Sequence, residues 1–401
     1  MAPPKPIPLE EAQARLCNLV SPLPVEQVPV ERAIGRYLAE DLRARRTQPP
    51  ADLSAMDGYA VGGDDLAGPW RVVGESAAGH PYQGEIRRGE AARISTGAHM
   101  PAGTGAMLLQ ENAIRDGDRL TLSNEDGPTP RHIRREGFDF ADGDRVLAAG
   151  TRIGPAQLAL AISAGHGEIS APSLPGLAVI DSGDELCTDP ANCGPHQIPA
   201  SNGPALAALG ASLTSNIVRI GPVRDQLADV VDAFERASEA DVIVTSGGAS
   251  VGDHDLMKPA LEQWGAAIDF WRVAIKPGKP LMVARKGQTT ILGLPGNPVS
   301  SFVTAWLFLL PLLRKLAGAR DVLPRTLLMP LRGQLEAGGS RTEFLRGRIV
   351  NGGIEPIDER DSSALRALAA AEALIRRDIA APAVADGQLV PIYPLQNGGN
   401  A

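Results

Sequence analysis

From Ile291 to Leu313 the chain runs 23 residues without a charge, and no other stretch limits the fold as much. On length alone it would cross a bilayer. Near its start, however, lies Leu294-Pro295-Gly296-Asn297-Pro298. Proline inside a helix removes a hydrogen bond and clashes with the preceding turn, so no helix runs through this point. What remains, Val299–Leu313, spans about 22 Å at 1.5 Å per residue, short of a hydrocarbon core about 30 Å thick. The segment therefore reads as a strand, a Pro/Gly turn and a buried helix of a soluble protein.

The chain has the means to bury such a helix. It is 401 residues long, 43% hydrophobic and 21% charged, which excludes disorder as its main state. The length suggests roughly two to four domains. A net charge of −8 speaks against duplex binding, which needs a basic surface, and 4% aromatics against stacking on single strands. No nucleic-acid partner and no membrane insertion are expected. Three cysteines make no disulfide framework, and the N-terminus shows no basic stretch followed by an apolar run. The expected compartment is the cytoplasm.

Residues 8–19 carry an amphipathic helical pattern through Leu9, Ala12, Leu16 and Val20. Residues 46–140 are short apolar pieces between Gly-rich turns, a β-rich insertion. Helix is expected again over 145–170, so residues 1–45 plus 141–175 are expected to form a helical linker domain interrupted by the insertion. From 176 to 320 short apolar strands alternate with helices, which predicts a doubly wound α/β domain whose parallel sheet is covered on both faces. Ligands of such sheets sit at the carboxyl ends of the strands. Residues 321–401 return to short strands, expected as a C-terminal β-barrel.

Two strand-to-helix connections are suited to an anion. Thr245-Ser246-Gly247-Gly248-Ala249-Ser250-Val251-Gly252-Asp253-His254-Asp255 follows a β-branched run, and Gly293-Leu294-Pro295-Gly296-Asn297-Pro298-Val299-Ser300 follows another strand. Glycine lets backbone approach a ligand, and free helix N–H groups favour negative charge. Each is equally readable, alone, as a tight connection. Neither is a Walker loop, and no G-x-G-x-x-G is present. Lys276-Pro277-Gly278-Lys279-Pro280 holds two lysines three apart, as an oxyanion clamp or as a solvated turn. Asp57, Glu185, Asp225 and Asp255 are candidate acid/base or metal groups, although each alone suits a cap or surface charge, and Asp225 looks like a helix N-cap. Ser95-Thr96-Gly97-Ala98 is ambiguous on its own. Cys187, Cys193 and His196 fit no standard zinc spacing.

Together these segments resemble the molybdopterin molybdotransferase family, MoeA in bacteria and a domain of gephyrin-type proteins. The resemblance rests on PPADLSAMDGYAV at 49–61, ARISTGAHMPAGTGAMLLQE at 92–111, SGDEL at 182–186 and QIPASN at 197–202. It continues in order with DVIVTSGGASVGDHD at 241–255, KPGKP at 276–280 and GLPGNPVSSF at 293–302. It implies that the α/β domain binds molybdopterin and that the chain forms an elongated homodimer with sites at the subunit interface. The implied reaction inserts molybdenum from molybdate into adenylylated molybdopterin, releasing AMP and requiring Mg²⁺. Matched residue by residue, Ser246, Gly247, Gly248, Ser250, Gly252 and Asp255 fall on the pterin-phosphate loop, with Asp255 the metal ligand. Lys276, Lys279, Pro280 and Ser300 correspond to the oxyanion pocket, flanked by Pro295, Gly296, Asn297 and Pro298. Asp57, Thr96, Glu185 and Asp225 match polar cleft residues, several of them delivered by the partner subunit, and Arg346 and Ser362 are the C-terminal contribution. The chain departs from the family pattern at Phe138 and Glu372. A molybdopterin adenylyltransferase and molybdoenzyme maturation proteins are the implied partners. The alternatives are a non-catalytic pterin-binding scaffold and a molybdopterin adenylyltransferase.

Overall fold

The computed structural model describes residues 6–247 and 256–395. Gly248, Ser250, Gly252 and Asp255 lie outside the described residues. The apolar runs of the middle third form a six-stranded sheet in the order Asn216–Val223, Gly176–Ser182, Val242–Ser246, Thr289–Leu294, Met282–Lys286, Ala267–Trp271. The first four strands are parallel. The fifth is reversed: Met282–Lys286 runs antiparallel to both of its neighbours, which corrects the expected parallel sheet. The cause is local. Only Gly287 and Gln288 separate Lys286 from Thr289, enough for a hairpin and far too few for a crossover. Gly287, at φ +59°, supplies the left-handed turn residue.

Alternate side chains of each parallel strand serve opposite faces. Leu177, Val179, Val242, Val244, Leu292 and Leu294 pack against the Asn202–Gly210 helix and the long helix Pro298–Leu316. Ala178, Ile180, Ile243 and Ile291 face the Leu227–Arg236 and Met257–Trp264 helices through Val230, Phe234, Leu261 and Trp264. The helix Leu9–Asn18 joins the first face, burying Leu9, Ala12 and Leu16 in the same cluster.

Pro298–Leu316 is the one helix among the described residues long and apolar enough to cross a membrane, and 89% of its most apolar window is buried in protein. It is a core helix. It is also irregular, with a π turn at Ala305–Leu309 just before Pro311. Pro311 has no N–H to give to the carbonyl four residues earlier, that of Leu307. Buried Gln13, on the Leu9–Asn18 helix, donates its side-chain N–H to that carbonyl at 2.9 Å.

The remaining elements form three further units. A second six-stranded sheet runs in the order Ala106–Leu109, Gly58–Val61, Glu90–Ile94, Trp70–Ser76, Arg119–Leu122, Ala113–Asp116. The flanking segments, expected to be helical, are mostly paired strands: Val25–Pro29 with Glu168–Pro172 and Leu42–Arg43 with Arg145–Leu147. Helix over 145–170 is confined to Pro155–Ser163, opened by Pro at its first position and followed by Gly165 at φ +93°. In the C-terminal region Ile275–Lys276, Thr342–Val350, Ala373–Arg377, Leu389–Pro394 and Leu327–Pro330 follow one another, with Gly353–Pro356 beside Thr342–Val350. A bridge from Leu331 to Ile354 brings two ends of this sheet together around Ile375, Val390 and Ile392.

Gln13→Leu keeps the volume and removes the donor to Leu307. A buried carbonyl left without a partner costs about 1–3 kcal/mol, so the urea midpoint of unfolding should fall. An unchanged midpoint would mean that another group satisfies that carbonyl.

Candidate functional site

The carboxyl ends of the parallel strands open onto a cleft of about 550 Å³. Its walls include Ser182, Glu185, Ser201, Asn202, Ser246, Gly247, Gly296, Asn297, Pro298 and Ser363. Val242–Ser246 ends in Gly247 at φ +97°, where a Cβ would lie 2.4 Å from the Ser182 carbonyl oxygen. Only glycine fits that close approach. The neighbouring strand Thr289–Leu294 ends in Pro295-Gly296-Asn297, and Pro298 opens the long helix.

Asn202 joins the two connections. Its side-chain amide donates to Ser246 Oγ at 2.8 Å and to the Gly296 carbonyl at 2.7 Å. Asn297 extends the link, its amide donating to Ser362 Oγ at 2.8 Å. Buried Arg346 spends its guanidinium on the carbonyls of Asp361, Ala364 and Glu359, shaping the loop that carries Ser362 and Ser363. Of these two serines, Ser363 lines the cleft; Ser362 lines a small adjoining cavity with Lys276, Glu343 and Arg346.

Of the residues singled out in the sequence, Glu185, Ser246, Gly247, Gly296, Asn297 and Pro298 thus meet in one cleft. Pro295, in the turn between strand and helix, and Ser300, in the first turn of the helix, are buried. The Lys276–Pro280 turn packs on the first turns of the long helix: a Cβ on Gly278, at φ +102°, would come within 2.4 Å of Thr304 Cγ2. Lys276 pairs with Glu343 at 3.0 Å and takes part in the Ile275–Lys276 strand of the C-terminal sheet. Lys279 and Pro280 follow in the same turn, and Lys279 is exposed with no ion-pair partner among the described residues.

Asp225 is not the helix N-cap, which is Gln226. Instead its carboxylate accepts from Ser182 Oγ and the Asp184 N–H, both at 3.3 Å, and its own N–H donates to the Asp184 carboxylate at 3.1 Å. Asp57 and Thr96 sit together on the inserted sheet domain, away from the cleft walls. Thr96 donates to the Asp57 carboxylate from N at 2.7 Å and from Oγ1 at 3.2 Å, holding that carboxyl below its ordinary range. Cys187 and Cys193 are bonded to each other, so they are not two of three metal ligands with His196. Among the described residues no three His, Cys, Asp or Glu side chains form a metal cage.

Asp181 also lines the cleft, and sequence reasoning did not reach it. It is 4% exposed. Burial pushes its carboxyl up to about 6, opposed by the charge of Arg219 and by the Gly203 N–H. A Cβ on Gly203 would collide with Asp181 Oδ2, so the helix beginning at Asn202 meets this carboxylate only because residue 203 is glycine. The available signal was an acid near the end of the otherwise apolar run Gly176–Ser182.

Strand ends, a close glycine approach and a helix start thus line one open cleft on a mixed α/β domain, the place where such domains take their ligands. Residues 7–165 match the MoeA N-terminal region (domain I and II), 178–315 the model described as "Probable molybdopterin binding domain", and 329–395 the MoeA C-terminal region (domain IV). The chain is 37% identical over 318 residues to molybdopterin molybdenumtransferase of Haemophilus influenzae, covering 78% of each chain. It is 33% identical to the Nostoc protein of the same name, over 83% of this chain and 80% of that one. Its fold matches the crystal structure of the molybdopterin biosynthesis moeA protein of Pyrococcus horikoshii with a TM-score of 0.83, 26% identity, and coverage of 97% and 100%. The chain belongs to the MoeA family of molybdopterin molybdenumtransferases.

A carboxyl whose folded pKa is raised destabilises the fold increasingly as pH climbs from the unfolded value near 4 through about 6. Asp181→Asn keeps an acceptor for Gly203 and removes the charge. It should be more stable than the native chain at pH 8, by about 1–2 kcal/mol after allowance for screening in the open cleft. The difference should vanish below pH about 4. Equal stability at both pH values, by urea unfolding, would refute the assignment.

Proposed function

We propose that the chain is a molybdopterin molybdenumtransferase, inserting molybdenum from molybdate into adenylylated molybdopterin and releasing AMP. The observation that carries this reading is the meeting of Ser246–Gly247 and Gly296–Pro298 in one cleft, tied by Asn202. Hydroxyl, amide and backbone N–H donors around an open space suit the phosphates of the adenylylated pterin. Molybdate is a tetrahedral dianion, and Lys276 and Lys279, beside Ser300 and Pro280, are the cations we assign to it. Lys276 would have to leave or share Glu343 to do so. The Arg346-shaped loop would close the C-terminal side through Ser362.

Cleaving a phosphoanhydride link places negative charge on the leaving phosphate. Mg²⁺ held by Asp255 would neutralise that charge. Oxygen ligands suit this hard ion, and Asp255 closes the Ser246–Asp255 segment in the sequence. We assign Asp57 and Thr96 to the cleft of a partner subunit in a homodimer; within one chain they do not line it. The C-terminal sheet, drawn together at Leu331 and Ile354, we read as a barrel. The compartment is the cytoplasm, where an adenylyltransferase would supply the substrate and molybdoenzyme maturation proteins would take the product.

The purified chain, given adenylylated molybdopterin and Mg²⁺, should release AMP in step with added molybdate; no molybdate-dependent AMP would refute the function. Asp57→Ala and Ser246→Ala should each abolish that release. Mixed and allowed to exchange subunits, they should recover about a quarter of native activity, since half the dimers then hold one intact site of two. No recovery in demonstrably mixed dimers would place Asp57 outside a shared site.

A further inference from the structure

The two helices whose first residues line the cleft end at a second cavity, of about 580 Å³. Leu209 lies near the end of Asn202–Gly210, and Leu310 and Arg314 lie in the last turns of Pro298–Leu316. Four arginines, Arg152, Arg314, Arg320 and Arg325, converge there against the single carboxylate of Asp321. In a chain of net charge −8, that concentration of positive charge is unusual.

Arg314 is 6% exposed and donates to the Val322 carbonyl at 3.3 Å. Among the described residues, no carboxylate lies within ion-pair distance of Arg314, Arg320 or Arg325. Burial, chiefly, pulls Arg314 below its ordinary guanidinium value, opposed by the Tyr37 hydroxyl, which is its hydrogen-bond partner, and reinforced by the nearby charge of Arg152. A cation in the last helical turn suits the helix dipole, which accounts for Arg314 on its own. It does not account for three further arginines brought in by loops.

Those loops are held in place. Tyr37 and Arg152 form an antiparallel bridge, and the Arg320 N–H donates to the Gly150 carbonyl at 3.3 Å. Between the arginines lie apolar side chains, Leu209, Leu213, Leu310 and Leu323. The volume is in the range of small-molecule sites, about 300–1,000 Å³, and far exceeds a single oxyanion. Guanidinium groups favour phosphate, and the leucines offer a surface for an organic moiety.

We propose that this cavity is a second binding site, distinct from the pterin cleft, for an organic phosphate of nucleotide size carrying at least two negative charges. Such a ligand would bridge the N-terminal segment, the central domain and the connection into the C-terminal sheet.

The test uses the full chain, with ADP and inorganic pyrophosphate as probes and hydrogen exchange as readout. ADP should protect peptides containing residues 150–152 and 317–325, at lower concentration than pyrophosphate because only ADP uses the leucines. Arg320 and Arg325 are exposed, so the Arg320→Ser/Arg325→Ser variant should fold normally. It should raise the ADP concentration for half protection about tenfold or more, the effect of losing charge-assisted hydrogen bonds. Ser246→Ala, in the cleft, should leave that protection unchanged. The proposal fails if protection is confined to the loops at 246–247 and 295–298, or if the double variant responds like the native chain. It fails equally if protection of 317–325 follows protein concentration and not ADP, since a second copy would then cover the cavity.

Discussion

The side-chain amide of Asn202 holds together what the rest of the fold only brings near. Its two N–H groups reach Ser246 Oγ and the Gly296 carbonyl, so loops from two neighbouring strands share one rigid partner. Without it, each loop would be an ordinary strand-to-helix connection. With it, the hydroxyl of Ser246 and the backbone around Gly296 face a common space. Asn202 can take that position because its helix starts directly against the Asp181 carboxylate, over a glycine at 203.

Behind the cleft, rigidity depends on the long apolar helix. Pro311 breaks its hydrogen-bond ladder, and the π turn before it takes up the distortion. Gln13, almost 300 residues away in sequence, completes the Leu307 carbonyl. The N-terminal helix is therefore part of the core that positions Pro298 and Asn297. On the opposite side of the long helix's start, the Lys276–Pro280 turn rests on Thr304 and ties into the C-terminal sheet through Thr342 and Glu343. The two lysines thus stand where the central domain and the C-terminal region meet.

Much of the site was legible because its signals are local. Glycine and proline after β-branched runs mark Ser246–Gly247 and Pro295–Pro298 from neighbouring residues alone. What escaped was non-local or contrary to type. The hairpin at Gly287–Gln288 overrode the alternation that suggested a fully parallel sheet. Asp181 was hidden because an acid in a buried strand reads as a break in the pattern, and its partner Gly203 is 22 residues away. The pairing of Lys276 with Glu343 depends on a contact across 67 positions. Arg346, expected at the substrate, is occupied by carbonyls of its own loop. The helical expectation for residues 145–170 holds at Pro155–Ser163 but not at its two ends, where Arg145–Leu147 and Glu168–Pro172 pair as strands with distant segments.

Two loops act as one site through Asn202, and titration of adenylylated molybdopterin into the native chain and into Asn202→Ala tests that directly. Losing both amide hydrogen bonds should weaken binding about tenfold or more. It should also speed hydrogen exchange at residues 246–247 and 295–298, while the Leu9–Asn18 and Pro298–Leu316 helices stay protected. Native affinity in a variant that exchanges faster at both loops would contradict the account, because the loops would then bind without being joined.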